Sequence, residues 1–208
     1  MQKLQLITIL AATIGGLLVV NRSHAAPVQW TTGPGATGHF YEVIASTGIN
    51  WQDAQNAALA SGGYLATITS SQENAFVFAL ADNPIYWFTD GANNSQGPWL
   101  GGFQPAGSPE PAGNFQWVNG EGLFGFTAWN PGEPNNSGGA EDSLLYFANG
   151  PGVRSSNWND GTGTSSAIRG YVVESVPEPS SCVLAVFGLI SVVSLHRRSR
   201  NQRIRNVA

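Results

Sequence analysis

Cysteine is nearly absent from this sequence of 208 residues, and its single copy, Cys182, lies near the C-terminus. No disulfide can form within the chain, and no cysteine nucleophile is available before residue 176. An exported domain without disulfides has to be held together by core packing or by a bound metal ion.

Basic residues are also scarce in the middle of the chain, where only Arg154 and Arg169 lie between residues 27 and 175. The same interval carries twelve of the thirteen acidic residues, so its formal charge is −10, against −4 for the whole chain. A surface of this charge repels nucleic-acid phosphates and attracts cations. The charge distribution therefore argues against a nucleic-acid partner and favours a bound divalent ion.

Charged residues make up only 11% of the sequence, whereas there are 26 glycines and 7 tryptophans. This composition favours loops and an aromatic core over long helices. The length predicts one compact domain once the two ends are set aside. We expect this domain to be of the α+β class.

The N-terminal residues 1–25 have the organisation of a secretory signal peptide. Lys3 precedes an apolar run over residues 4–20, and Ser23-His24-Ala25 places small residues at the −3 and −1 positions of a cleavage site. We predict cleavage after Ala25, followed by a leader segment over residues 26–37. An uncleaved membrane anchor is the alternative.

Residues 176–208 form a second candidate processing signal. Pro177-Glu178-Pro179 precedes an apolar run over residues 182–195, which is followed by five arginines. This order of parts resembles the bacterial PEP-CTERM sorting signal. The resemblance implies transient membrane insertion, cleavage by an exosortase-type enzyme, and release to the cell surface or extracellular matrix. An ordinary tail anchor with cytoplasmic arginines is the alternative.

Two helices are predicted in the first half of the domain. Asn50 is a candidate N-cap for a helix that ends at Gly62-Gly63, and Ser70 with Glu73 predicts a capping box at the start of a second helix. Flanking strands are predicted over residues 38–45 and 64–69. Beyond Trp87 the helical periodicity disappears, and short aromatic strands alternate with long loops. These strands contain residues 99–102, 115–118, 144–147 and 171–173.

The loop-rich stretch 129–160 concentrates oxygen-bearing side chains without any His or Cys. Calcium takes about six to eight oxygen ligands from carboxylates, carbonyls and water, whereas zinc and copper favour nitrogen and sulfur. The stretch therefore predicts calcium ligands, which we assign to Glu133, Asn135, Glu141, Asn159 and Asp160. The alternatives are an ordinary turn at Glu133 and a hairpin turn at Asn159-Asp160-Gly161.

The middle of the chain, over residues 38–175, resembles the C-type lectin-like domain. The resemblance is carried by two helices before a loop-rich half and by the order of its motifs: Trp99-Leu100-Gly101-Gly102, Trp117 before Asn119-Gly120, Glu133-Pro134-Asn135, Trp158-Asn159-Asp160 and Tyr171-Val172-Val173-Glu174. It implies a fold of two helices with short antiparallel sheets and a long calcium-binding loop region. The family usually has disulfides that pin these loops, and this chain has none.

The resemblance also implies a function for the five candidate ligands. In the family they bind calcium and sugar together, the bond before the motif proline is cis, and the Glu-Pro-Asn form goes with mannose-, glucose- or fucose-like sugars. Asp142 beside Glu141 suggests a second calcium site. Asn136 weakens this interpretation, because it stands where an acidic residue would strengthen such a site. Trp129 and Trp158 are expected to be buried loop pins rather than sugar-stacking platforms.

Three classes of function follow from the sequence. The first is a secreted, calcium-dependent carbohydrate-binding module for mannose- or glucose-type glycans or matrix exopolysaccharide. The second is a calcium-stabilised structural or adhesion protein of the extracellular matrix without sugar binding. An enzyme is the weakest, because no Ser/His/Asp constellation is present and Glu141 and Asp142 are sequence neighbours rather than facing carboxylates.

Overall fold

The structure is a computed structural model that describes residues 26–121 and 124–177. The signal peptide, the apolar run at 182–195 and the arginine-rich end lie outside the described residues. Within the described ranges, no helix has both the length and the apolar character needed to cross a membrane.

Two helices and nine strands make up the part of the chain that the structure describes. The helices are α1 (Trp51–Ala60) and α2 (Ser71–Ala81), and short 3-10 turns lie at Pro84–Tyr86 and Ser137–Gly139. The strands are β1 (Val28–Gln29), β2 (Phe40–Ala45), β3 (Tyr64–Leu65), β4 (Phe88–Thr89), β5 (Ser95–Phe103), β6 (Gln116–Trp117), β7 (Ser143–Ala148), β8 (Asn157–Gly161) and β9 (Gly170–Ser175).

The strands are hydrogen-bonded into one network with the order β1-β2-β9-β5-β7-β8. β3 pairs with β9, and β4 and β6 both pair with β5. Every pairing is antiparallel except that of β5 with β9, where Trp99 lies opposite Tyr171. The expected α+β class is confirmed, and this parallel contact joins the expected short antiparallel sheets into one.

Both helices begin where their capping residues predict. The Asn50 side chain accepts a hydrogen bond from the Asp53 amide at 2.8 Å, and the Ser70 side chain accepts from the Glu73 amide at 3.2 Å. The capping box at α2 is only half formed, because the Glu73 carboxylate accepts from the Thr69 amide at 2.7 Å. Its other oxygen accepts from the Tyr41 hydroxyl, and this longer-range contact ties α2 to β2.

Buried polar contacts connect distant segments of this cysteine-free core. The Glu174 carboxylate on β9 accepts from the backbone amide and the hydroxyl of Thr67, both at 2.9 Å. The His39 ring lies 2.6 Å from the other Glu174 oxygen. Burial raises the pKa of Glu174, against hydrogen bonds from Thr67 and His39 that lower it. These contacts hold the closing strand against the segment after β3.

The aromatic core is centred on Trp158, which is completely buried. Its ring makes edge contacts with Trp117, Phe124, Phe126 and Trp129 at centroid distances of 5.5–6.0 Å. Trp158 therefore pins the loops and has no exposed face for a ligand. Trp129 is half-buried on the same cluster.

The leader segment also packs on the domain. β1 pairs with β2 in the register Val28 to Tyr41, and Trp30 is only 4% exposed. The Trp30 ring stacks on Phe76 of α2 at a centroid distance of 5.7 Å. Predicted strand 64–69 is regular only over Tyr64–Leu65, although the Ala66 amide still donates to Val172 at 2.9 Å.

We expect an engineered disulfide between positions 143 and 163 to stabilise the domain. A Cβ atom added to Gly163 would lie 3.4 Å from the Ser143 Cβ, close to the separation found in disulfides. The bridge would close a loop of about twenty residues, which corresponds to about 3 kcal/mol in the chain-entropy description. Ser143→Cys with Gly163→Cys, in a Cys182→Ser background, should unfold at higher denaturant when oxidised than when reduced.

The matched control for this disulfide is Ser143→Cys alone in the same background. Its unfolding midpoint should not depend on the redox state. Equal midpoints for the oxidised and reduced double variant would contradict the placement of these two residues.

Candidate functional site

The candidate site is built where strand β8 meets the loop before β7. Asn159 and Asp160 lie on β8, opposite Leu145 and Leu144 of β7. The alternative of a hairpin turn at Asn159-Asp160-Gly161 is therefore wrong, since these residues pair along a strand. Asn159 is 5% exposed and Asp160 is fully buried.

The Asp160 carboxylate connects β8 to the loop that carries the other candidate residues. One of its oxygens accepts from the Asn135 amide at 3.1 Å, and the other accepts from the Asn136 amide at 2.8 Å. Hydrogen bonds of backbone amides to an ionised carboxylate are stronger than neutral ones. They fix the loop position next to the sheet.

A tight turn then brings Glu141 back toward this loop. The Glu141 amide donates to the Asn136 side-chain oxygen at 3.0 Å, and the Glu141 carboxylate accepts from the Ser137 amide at 2.6 Å. Asn136 has a φ of 49°, the left-handed conformation that asparagine tolerates better than most residues. Sequence reasoning treated Asn136 only as a missing acid, although the glycines after it were a signal for this turn.

The bond between Glu133 and Pro134 is cis, as the resemblance implies. Glu133 is half-buried, whereas Asn135 is exposed. The five candidate residues therefore range from buried strand positions to an exposed loop position, and Asp160 is hydrogen-bonded directly to the backbone of one of them, Asn135.

Three acidic side chains influence one another at this site. Burial raises the pKa of Glu133 to about 7, and the negative charge of Asp160 adds to the effect. Burial also raises the pKa of Glu141 to about 7, against the Ser137 hydrogen bond, and the charges of Asp160 and Glu133 raise it further. A raised pKa of this origin shows that negative charge is unfavourable here, so a bound cation would relieve it.

Two buried oxygens at the site have no hydrogen-bond donor among the described residues. They are the Glu133 Oε2 and Asn159 Oδ1 atoms. A buried acceptor without a partner is costly, and hard cations are bound by carboxylate and amide oxygens. The oxygen chemistry of these side chains thus fits a calcium ion. Of the five candidates, Glu133, Glu141, Asn159 and Asp160 are buried or half-buried, and Asn135 is exposed.

Amide oxygens are needed to complete such a donor set. Over residues 26–121 and 124–177, no three side chains of the types His, Cys, Asp and Glu cluster closely enough to hold a metal ion by themselves. Asp142, suggested for a second calcium, is exposed, and its carboxylate accepts from the Ser143 hydroxyl at 2.8 Å.

The two helices, the mixed sheet and the long loop region define the class of C-type lectin-like folds, and comparison with known proteins makes the assignment specific. The family model of the Lectin C-type domain matches residues 47–168. The chain belongs to the C-type lectin domain family.

Two sequence relatives differ in how much of their length is matched. The perlucin-like protein of Mytilus galloprovincialis is 26% identical over 160 residues, which cover 77% of this chain and 92% of the relative. Lectin BRA-3 of Megabalanus rosa is 36% identical over 102 residues, which cover 48% of this chain and 51% of the relative. This chain thus spans about half the length of the second relative.

Two solved structures share the fold at low sequence identity. The carbohydrate-recognition domain of cow CD23, solved in the presence of a GlcNAc2Man3 oligosaccharide, has a TM-score of 0.52 at 22% identity and covers 74% of this chain and 98% of its own. A calcium-independent type II antifreeze protein has a TM-score of 0.51 at 17% identity, and the match covers 75% of this chain and 98% of that protein. The fold therefore also occurs in a protein described as calcium-independent.

We predict that calcium changes the pH dependence of stability. The pKa of Glu133 and Glu141 is higher in the folded chain, about 7, than the ordinary 4.5. The folded state then binds more protons in this interval, so without calcium the free energy of unfolding should fall as pH rises from 4.5 to 7. Calcium binds the ionised form, so saturating calcium should reduce or reverse this fall.

Thermal unfolding between pH 4.5 and 8, with calcium and with chelator, measures the effect. Glu141→Gln should flatten the profile measured with chelator and weaken the response to calcium. Two superimposable wild-type profiles would show that these carboxylates do not bind the ion.

Proposed function

We propose that this domain binds carbohydrate through a calcium ion held by Glu133, Asn135, Glu141, Asn159 and Asp160. The observation that carries the proposal is the pair of buried, unpaired oxygens, Glu133 Oε2 and Asn159 Oδ1, beside carboxylates whose pKa is raised. The donor set contains only oxygen, which suits calcium.

Calcium, when bound, would supply coordination positions for two neighbouring hydroxyls of a sugar. The Glu133 carboxylate accepts a hydrogen bond from one hydroxyl, and the Asn135 amide donates to a sugar oxygen. Asp160 positions this pair, because its carboxylate holds the backbone amide of Asn135. The exposure of Asn135 leaves its side chain accessible from solvent.

The proposed ligands are mannose- or glucose-type glycans, or an exopolysaccharide of the extracellular matrix. The Glu133-Pro134-Asn135 motif supports this choice, and one sequence relative is named a lectin. Two hydroxyl contacts in water contribute little net free energy, so strong binding would need several copies acting together.

A calcium-stabilised structural or adhesion protein is the second candidate function. The observation that favours it is the full burial of Trp158, which leaves the site without that aromatic platform for a sugar. Neither candidate function is catalytic.

We also propose that both ends of the chain are processed. Residues 1–25 would direct export, and residues 176–208 would insert transiently into the membrane before an exosortase-type enzyme cleaves near Pro177-Glu178-Pro179. The exported part would then comprise the segment 26–37 and the lectin-like domain 38–175, located at the cell surface or in the extracellular matrix. The support is the order of parts in the two end sequences.

A sugar-specificity swap tests the proposed function. Glu133→Gln with Asn135→Asp keeps the total side-chain charge but exchanges acceptor and donor positions. We expect the variant to keep much of the calcium affinity and to lose mannose- or glucose-type glycans in favour of galactose-type ones. The measurement is a glycan array with the protein displayed multivalently, with calcium and with chelator.

Calorimetry with calcium is the control for this experiment. Wild-type retention that needs calcium and is reversed by chelator supports the lectin. Calcium uptake without retention on any glycan would favour the structural protein. Absence of calcium uptake would contradict both candidate functions.

The processing proposal predicts the mass of the mature protein. Protein recovered from the surface or medium of its own host should lack residues 1–25 and the segment after about residue 179, as expected for processing signals. Intact-mass measurement decides this. A mass that still includes Arg197 and Arg205 would indicate a retained tail anchor.

A further inference from the structure

A groove of about 580 Å³ lies beside the candidate site, between the first turn of α1 and the segments that flank β7 and β8. We call it the α1 groove; its lining includes Trp51, Gln52, Phe103, Gln104, Asp142 and Thr164. Its volume falls within the range of small-molecule sites. The proposed calcium chemistry uses none of these six residues.

Two aromatic rings form a fixed apolar surface in the α1 groove. The rings of Trp51 and Phe103 have centroids 5.7 Å apart and planes tilted by 39°. The Trp51 indole N–H donates to the Leu100 carbonyl at 2.9 Å, so the ring is already oriented. Both rings are half-buried, which leaves part of each exposed. Such preoriented rings suit the apolar C–H face of a pyranose.

Polar groups accompany these rings. The Gln104 side chain is 5% exposed, and its amide nitrogen donates to Gly113 at 2.7 Å and to Pro109 at 3.2 Å. These bonds fix the amide, and its Oε1 atom has no donor among the described residues. This oxygen is buried in the wall of the groove, so the polar groups open to a ligand are those of exposed neighbours. Gln52, Asp142 and Thr164 add further amide, carboxylate and hydroxyl groups.

Several residues that line the α1 groove are close neighbours in the chain of the candidate calcium ligands. Ala140 and Asp142 line the groove on either side of Glu141, and Thr162 and Gly163 line it two and three residues after Asp160. The Trp51 amide donates to the Gly163 carbonyl at 2.9 Å, which fixes α1 relative to this wall. The same short segments thus face the candidate site and the groove.

We propose that the α1 groove is a second sugar subsite, which holds a neighbouring pyranose ring of the glycan whose other ring occupies the calcium site. The inference rests on the proposed carbohydrate function and extends it, because it makes the ligand an oligosaccharide rather than a single sugar. The ring stacks on Trp51 and Phe103, and its hydroxyls meet the exposed polar side chains of Gln52 and Asp142. Binding in the groove itself requires no metal ion.

The test compares a single sugar with a short chain, using the full-length protein. The probes are methyl α-mannoside and linear α-mannotriose, with methyl α-glucoside and maltotriose as a parallel pair. For one of these pairs, the wild type should bind the trisaccharide about fivefold more tightly than the matching methyl glycoside, which is the order of magnitude of one aromatic stacking contact. Thr164→Trp, which fills the groove from an exposed position, should abolish this ratio and leave monosaccharide binding unchanged.

Thr89→Trp is the matched control, since Thr89 is also exposed but lies on β4 outside the groove. It should keep the wild-type ratio. Phe103→Leu removes one ring without filling the groove and should also lower the ratio, which keeps the test decisive if Thr164→Trp perturbs folding.

The outcomes separate the groove from the calcium site. Suppose that monosaccharide binding depends on calcium and that the ratio of trisaccharide to monosaccharide affinity is unchanged in Thr164→Trp and Phe103→Leu. This result would overturn the groove as a sugar subsite and leave the proposed function standing. Trisaccharide binding that survives chelator and is lost in Thr164→Trp would support sugar binding in the groove and overturn the calcium mechanism. No binding of any probe would overturn both.

Discussion

The buried carboxylate of Asp160 is the contact on which the candidate site depends. It accepts hydrogen bonds from two consecutive loop amides, those of Asn135 and Asn136, at a position closed to water. A buried charge is tolerated only when it is well paired, so the loop and the strand are committed to one arrangement. In a chain without disulfides, this contact fixes the loop to strand β8, as a covalent cross-link would.

The same arrangement concentrates negative charge, which opposes the stability of the folded domain. Glu133 and Glu141 are held near Asp160, with the pKa of each raised to about 7 mainly by burial. The aromatic core around Trp158 and the buried hydrogen bonds of Glu174 with Thr67 stabilise the rest of the domain against this unfavourable charge. Sites that bind ions commonly break local rules of stability in this way.

How well the sequence predicts each structural feature depends on how far apart in the chain the interacting residues are. Asn50 and Ser70 predict the two helix starts because capping involves neighbours three residues away. The contacts of Glu73 are predicted only in part, because one carboxylate oxygen accepts from Thr69 instead of the Ser70 amide and the other accepts from Tyr41, which is 32 positions away. Of the candidate site, the residue types and the cis proline followed from the motif order. The turn at Asn136 was missed although the glycines after it signal a turn, and the Gln104 amide was missed because no sequence motif marks its contacts with the carbonyls of Pro109 and Gly113.

The pairing of the outer strands has a mechanical consequence. Phe40 at the start of β2 lies opposite Ser175 at the end of β9, and β1 pairs with β2 at the same end. The described chain therefore enters and leaves the domain side by side. A force that pulls these two points apart acts across the strands, along the direction of their hydrogen bonds. Such a load opens the pairs one after another instead of shearing them together, so the domain would yield at low force when stretched by its ends.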